Sequence, residues 1–248
     1  VRMSLTLPSL ASAANQLALL VPTGKNDPKW LDNPALTKEV IPATLDTLAM
    51  MFFATVFTVV IGLPLGLLLV QTGKSGLTPN RSVYQFASAV VNVVRSFPFL
   101  IGAIVLLPLT RLIVGTTLGW QATVVPLVIL SVPFFARLVE SNILAVDAGK
   151  IEAAQMMGAS NRQIRWGVQV REAAPALVQS ITTLAITLIG YSAIAGALGG
   201  GGLGQMAMNY GYNRFQDDVM IVTVLAIIVI VQIVQMFGDM ISRLVDHR

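Results

Sequence analysis

Two long stretches of this chain, Thr47 to Gly73 and Ala173 to Asn213, contain no Asp, Glu, Lys, Arg or His. A helix needs about 20 mainly apolar residues to cross the hydrocarbon core of a bilayer, and the second stretch is too long for one crossing. Composition agrees: 55% of the residues are hydrophobic and 11% are charged, whereas a soluble domain carries about 25% charged residues. Lipid is therefore the main solvent. A length of 248 residues leaves room for roughly five spans with their connections, in one membrane domain.

The absence of cysteine removes disulfides, thiolate nucleophiles and Cys-ligated metal centres. The single histidine, His247, reads as a solvated tail residue rather than an acid–base or metal group. The formal charge is +4, but the basic residues flank apolar runs instead of clustering, which points to membrane topology and not to nucleic acid.

The expected fold is thus all-α and integral to the membrane, with about five transmembrane helices. The first is Thr47 to Gly73, in which Gly62 and Gly66 flank Pro64. That small-xxx-small spacing marks either a close helix–helix approach or plain tolerance of Gly and Pro in lipid. Next, Arg81, Gln85, Ser88, Asn92 and Arg95 recur at steps of four and three, so they share one face of an amphipathic or bundle-facing helix. It leads into a second span, Ser96 to about Thr110, entered through Pro98. A third runs from about Gly119 to Leu138 and carries Pro126 and Pro133, so kinked helices are expected. The fourth is about Ala176 to Ala195 and the fifth Val219 to Gly238. Between them, Gly196, Gly199, Gly200, Gly201, Gly202 and Gly204 disfavour a continuous helix and predict a loop or a broken re-entrant element.

Placing the C-terminus in the cytoplasm collects Lys74, Arg81, Arg95, Lys150, Arg162, Arg165, Arg171, Arg243 and Arg248 on the inner side. Only Arg111 and Arg214 remain in short outer loops. Residues 1–42 then form an outer N-terminal extension to a membrane domain of residues 43–248. The extension adds Arg2, Lys25, Lys29 and Lys38 to the outside, and Met3 to Gly24 is uncharged but diluted by Ser, Asn, Gln and Thr. A sixth span, an amphipathic helix and a disordered tail are all compatible with it. Ala11-Ser12-Ala13 has the small-residue look of a cleavage site, although the apolar core is too interrupted for a signal peptide.

Two phosphate-binding patterns fail on context. Gly73-Lys74-Ser75 lacks the glycine five positions earlier, where Leu68 stands, and Gly199 to Gly204 follows a membrane helix instead of a strand. The chain is not expected to bind ATP or another cofactor.

The polar loop at about 142–174 is more informative. Glu152-Ala153-Ala154 precedes Gly158, and Ser160 with Gln163 has the S-x-x-Q form of a capping box, predicting a helix, a turn and a new helix. Such an elbow suits either a groove in a partner protein or, through Arg162, Arg165 and Arg171, anionic headgroups. In the fourth span Ser180, Thr183, Thr187 and Tyr191 share one face, which packs on another helix or lines a polar path. The ten methionines read as adaptable packing.

Glu152-Ala153-Ala154-x3-Gly158, followed by Val168-x-Val170, resembles the Glu-Ala-Ala loop of binding-protein-dependent ABC importer permeases. The family's usual Ile-x-Leu-Pro is here Val168-Gln169-Val170-Arg171, with proline only at Pro175. Val91 to Phe99, Thr110 to Thr116, and Gly190-Tyr191-Ser192-Ala193-Ile194 through to Tyr212 resemble the methionine importer branch. The resemblance covers roughly residues 40–248. It implies a type I importer fold, two copies of the chain around a two-fold axis, two copies of a separate ABC ATPase docked on the loop around Glu152, Ala153, Ala154, Gly158 and Ser160, and a methionine-binding protein as donor. The setting is the bacterial cytoplasmic (inner) membrane and the mechanism alternating access. On that basis Ser180, Thr183, Thr187, Tyr191, Ser192 and Ile194 are candidate pathway residues, with Gly199, Gly200, Gly201 and Gly202 as a flexible outer gate. An ion-coupled secondary transporter is the rival. It usually needs an ionisable group at mid-bilayer, and here Asp46, Glu140, Asp147, Asp217, Asp218 and Asp239 fall at or beyond the expected span ends.

Overall fold

The computed structural model describes residues 30–246, and all of its regular secondary structure is helical. Met3 to Gly24, where a sixth span was weighed, and the C-terminal His247 lie outside the described residues.

After a 3-10 turn at Trp30–Asp32, Asn33 caps α1 (Pro34–Lys38) by accepting the Ala35 N–H at 3.0 Å. The first span, α2 (Val40–Thr72), starts before Thr47 and carries Pro64 inside it. Its buried stripe runs Thr47, Met50, Ala54, Thr58, Gly62, Gly66, the three- and four-residue steps of one helix face. Small residues there let α6 (Trp120–Leu144) come close. A methyl group at position 66 would stand 2.6 Å from Val139 Cβ and 2.7 Å from the Ala136 carbonyl. The Gly62/Gly66 spacing is therefore a helix–helix approach.

The second span differs from the expectation of one helix over Ser96 to Thr110. It is broken into α3 (Arg81–Arg95), α4 (Phe99–Val105), turned by 102° from α3, and α5 (Leu107–Val114). Two prolines account for the breaks. Pro98 disfavours helical backbone at Phe97 and caps α4, and Pro108 opens α5, where a missing N–H costs nothing. Among the described residues four helices are long and apolar enough to cross a membrane, and the bent pair brings the number to five.

The third span also runs on past Leu138, the end expected from the charges beyond it. Arg137 and Glu140 neutralise each other at 2.6 Å within α6, so they do not mark its end. The polar elbow comprises α7 (Ala148–Met156), α8 (Asn161–Gln163), a π-helical segment Ile164–Gln169 and α9 (Val170–Glu172). Then α10 (Ala174–Gly196), α11 (Gly202–Met206), a second π-helical segment Ala207–Tyr212 and α12 (Asp217–Val245) complete the chain. Met50, Leu127, Phe135, Val139, Leu184 and Leu188, all fully buried, form the centre of the bundle between α2, α6 and α10.

Hydrogen bonds define the two ends. At one, Asn161 Nδ2 donates to the Leu77 carbonyl (3.5 Å), Ser242 Oγ to the Pro175 carbonyl (3.2 Å) and Gln179 to Asp239 (3.2 Å). At the other, Asn33 donates to Gln216 (3.3 Å) and Asp218 (3.1 Å), and the Gly119 N–H to the Gly199 carbonyl (2.9 Å). The first end carries Lys74, Arg81, Lys150, Arg162, Arg165, Arg171 and Arg243, which is the inner side by the distribution of positive charge.

Candidate functional site

The elbow is built by local capping. Asp147 accepts the Gly149 N–H (2.6 Å) to start α7, which closes with Met157 and Gly158 N–H groups donating to the Ala153 (3.1 Å) and Gln155 (2.9 Å) carbonyls. Gly158 then takes a left-handed φ of 79° with nothing within 4 Å of where a Cβ would sit. Its constraint is thus conformational and not steric, as expected for a helix C-terminal glycine. Ser160 reverses the chain through a complete capping box: its N–H donates to Gln163 Oε1 (2.8 Å), and its hydroxyl accepts the Gln163 N–H (3.4 Å). An ion pair of Lys150 with Glu172 holds the two limbs together.

Ala154 and Ile164 are buried under this turn, while Glu152 and Ala153 face outward. Met156 and Met157, 91% and 80% exposed, form the tip. These two depart from the expectation that the methionines serve as adaptable packing. The available signal was two adjacent large apolar residues in an otherwise polar loop. They form an exposed, adaptable apolar patch on an otherwise polar loop.

The six candidate pathway residues of α10 do not act as one face. Ser180 is buried and accepts the amide of Asn142 on α6 at 2.7 Å, and Ser192 is buried and donates to the Ile189 carbonyl at 2.8 Å. Tyr191 stacks on Phe99 of α4 with ring centroids 4.4 Å apart. Thr183 and Ile194 are exposed and Thr187 is half-buried. The two threonine hydroxyls donate to the carbonyls four residues back, Gln179 (2.9 Å) and Thr183 (2.7 Å). Thr183, Thr187 and Ile194 thus remain on an open stripe with Gln179 and Gly190, and Ser180, Tyr191 and Ser192 pack inside the protomer.

The glycine run is tied to its neighbours by hydrogen bonds. Gly199, Gly201 and Gly202 have φ of 82°, 83° and 72°. The Gly200 carbonyl accepts the Thr123 hydroxyl (3.1 Å), Gly201 N–H donates to Gln205 (2.7 Å), and Leu203 N–H donates to Thr47 Oγ (2.9 Å). A Cβ on Gly202 would stand 2.5 Å from Thr47 Oγ1. Gly201 and Gly202 also line a cleft of about 290 Å³ with Glu39, Asp46, Gln205 and Tyr210. The four candidate gate glycines thus belong to a hydrogen-bonded clasp joining α2, α6, α10 and α11.

Residues 62–248 match the family described as the binding-protein-dependent transport system inner membrane component. The chain is 46% identical over 215 residues to the probable D-methionine transport system permease protein MetI of Pasteurella multocida, covering 87% of this chain and 99% of that protein. It is 47% identical over 220 residues to the methionine import system permease protein MetP of Bacillus subtilis, covering 89% and 99%. Its structure is similar to a chain of the MetNI methionine ABC transporter in an inward-facing conformation, with a TM-score of 0.85 at 41% identity over 87% of this chain and 100% of that one. With its elbow and its broken second span in this arrangement, the chain belongs to the family of binding-protein-dependent transport system inner membrane components.

Proposed function

We propose that this chain is the permease subunit of an ATP-driven methionine importer in the bacterial inner membrane, working as a pair of identical chains with two copies of a separate ATPase and a methionine-binding protein. The observation that carries this reading is the elbow. A short helix ending in exposed Met156 and Met157, with Glu152 beside them, projects from the end of the bundle that carries most of the positive charge. It continues directly from α6, so a movement of a protein docked there is transmitted to the core of the membrane domain. The sequence carries no complete phosphate-binding loop, which agrees with energy supplied by a docked subunit.

Methionine as cargo is supported by the two permease relatives and the MetNI likeness. In a pair of chains, the open stripe of α10 around Thr183, Thr187 and Ile194 is the face available for the pathway. Alternating access then consists of two membrane domains rocking about their two-fold axis, with each glycine clasp moving as part of its domain.

Ion coupling is less well supported. Glu140, a buried carboxylate inside a span, is held by Arg137 and by the Tyr84 hydroxyl. To test the proposal, the chain is purified from its native membrane under mild detergent and the mass and composition of the complex are measured. Two copies of the chain with two copies of an ATP-hydrolysing subunit are expected. A chain that purifies without any ATPase would overturn it.

A further inference from the structure

Where α2 leaves the membrane and the chain turns back into α3, the protein encloses a cleft of about 780 Å³. Its lining divides by chemistry. Lys74, Ser75, Arg81 and Gln85 contribute the polar part, and Leu69, Val70 and Leu144 an apolar wall. Glu140 also reaches the cleft, but its carboxylate is already engaged by Arg137 at 2.6 Å and by the Tyr84 hydroxyl at 3.3 Å. Among the described residues the ion pairs are Arg137–Glu140 and Lys150–Glu172, so neither Lys74 nor Arg81 has a carboxylate partner. Two cations without a carboxylate partner therefore share a cleft with an aliphatic wall at the point where the first span ends.

We infer that this cleft holds one anionic phospholipid, its phosphate between Lys74 and Arg81 and the start of an acyl chain along Val70 and Leu144. Gly73-Lys74-Ser75 fails as a nucleotide loop because Leu68 replaces the required glycine. A lipid phosphate needs no such loop. It arrives at headgroup depth, where basic side chains next to a span attract anionic lipid, and its apolar tail fits the wall that a nucleotide would leave unused. The site also has a route to the elbow, because the Leu77 carbonyl in the same turn accepts from Asn161 beside Ser160.

The test uses the full-length chain purified with its ATPase partner, delipidated in neutral detergent and titrated with phosphatidylglycerol or phosphatidylcholine while bound lipid is counted by native mass spectrometry. The wild type is compared with K74Q/R81Q and with Leu144→Trp, which fills the apolar side and leaves both charges. Phosphatidylglycerol binding is expected to weaken about thirtyfold in K74Q/R81Q and also to weaken in Leu144→Trp. Phosphatidylcholine binding is expected to be unchanged, and millimolar inorganic phosphate not to displace the lipid. Equal phosphatidylglycerol binding in all three proteins would overturn the inference. So would displacement by inorganic phosphate, which would make this a free-anion site, or loss of the ATPase from K74Q/R81Q with lipid binding intact, which would assign the basic pair to the protein partner. If K74Q/R81Q does not assemble, Leu144→Trp decides alone. The titration reads lipid and not cargo, so its outcome is independent of whether methionine is transported.

Discussion

Arg137 Nη1 donates to Glu140 Oε2 at 2.6 Å, and Arg137 Nη2 reaches across to Ser88 Oγ (2.5 Å) and Asn92 Oδ1 (2.9 Å) on α3. One guanidinium thus neutralises a carboxylate on its own helix and fastens the broken second span to the third. Both side chains are well covered, 18% and 8% exposed. Arg137→Ala leaves the Glu140 charge buried and the hydrogen-bonding groups of Ser88 and Asn92 without their partner. Breaking such a pair costs about 3–5 kcal/mol, whereas replacing both members by apolar residues costs much less. In thermal unfolding of the purified complex, Arg137→Ala is expected to be clearly less stable than the Arg137→Leu/Glu140→Leu double variant. Equal loss in the two would show that the pair itself is not the tie.

The α2–α6 contact makes a second prediction. Gly66→Ala places a methyl 2.6 Å from Val139 Cβ and 2.7 Å from the Ala136 carbonyl, and that carbonyl cannot rotate away. Overpacking of this kind costs about 1–3 kcal/mol. Gly167→Ala meets nothing within 4 Å and serves as the neutral control for protomer stability. A Gly66→Ala protein as stable as the control would mean that the two helices are not this close.

At Gly158 the constraint is the backbone alone, with φ at 79° and no neighbour within 4 Å. A β-branched residue there is strained by about 1–2 kcal/mol, while Asn tolerates the left-handed region. Gly158→Val is therefore expected to insert normally yet reduce stimulated ATP hydrolysis, and Gly158→Asn to retain most of it. Indifference of coupled hydrolysis to both substitutions would make the elbow an ordinary surface turn.

The hydroxyls of Thr183 and Thr187 bond only their own helix backbone, whereas Ser180 bonds Asn142 on α6. Thr183→Val and Thr187→Val should leave thermal stability within about 0.5 kcal/mol of wild type, and Ser180→Ala should lower it by about 0.6 kcal/mol or more. If the open stripe lines the pathway, uptake per assembled complex changes in the two threonine variants. Unchanged uptake in both removes them from it.

How far the residues announced this fold varies along the chain. The four unbroken spans were legible because charge-free runs longer than a bilayer have few alternatives. The elbow was legible because Gly158 and the Ser160–Gln163 box act within a few residues of themselves. The bend at Pro98 was legible only in part, since a proline marks a break without giving the angle of the next helix. For the α10 face, equal spacing fixes a helix side but not its neighbours, so packing and pathway could not be told apart from the residues alone. Phe99 claims Tyr191 and Asn142 claims Ser180, both from elements distant in sequence. The glycine run was legible as a break in the helix but not in its partners: the positive φ angles and close approach are glycine's, and the hydrogen bonds to Thr47 and Thr123 come from elements distant in sequence.

In the proposed function the chain carries methionine across a membrane at the expense of ATP hydrolysed by its docked partner. The direct measurement is accumulation of radiolabelled methionine in proteoliposomes holding the chain and its ATPase, with loaded methionine-binding protein on the outer side, with and without internal ATP. Uptake is expected to require both ATP and the binding protein and to be depressed by Gly158→Val in an intact complex. Methionine uptake driven by an imposed ion gradient with no ATP present would contradict the proposed function.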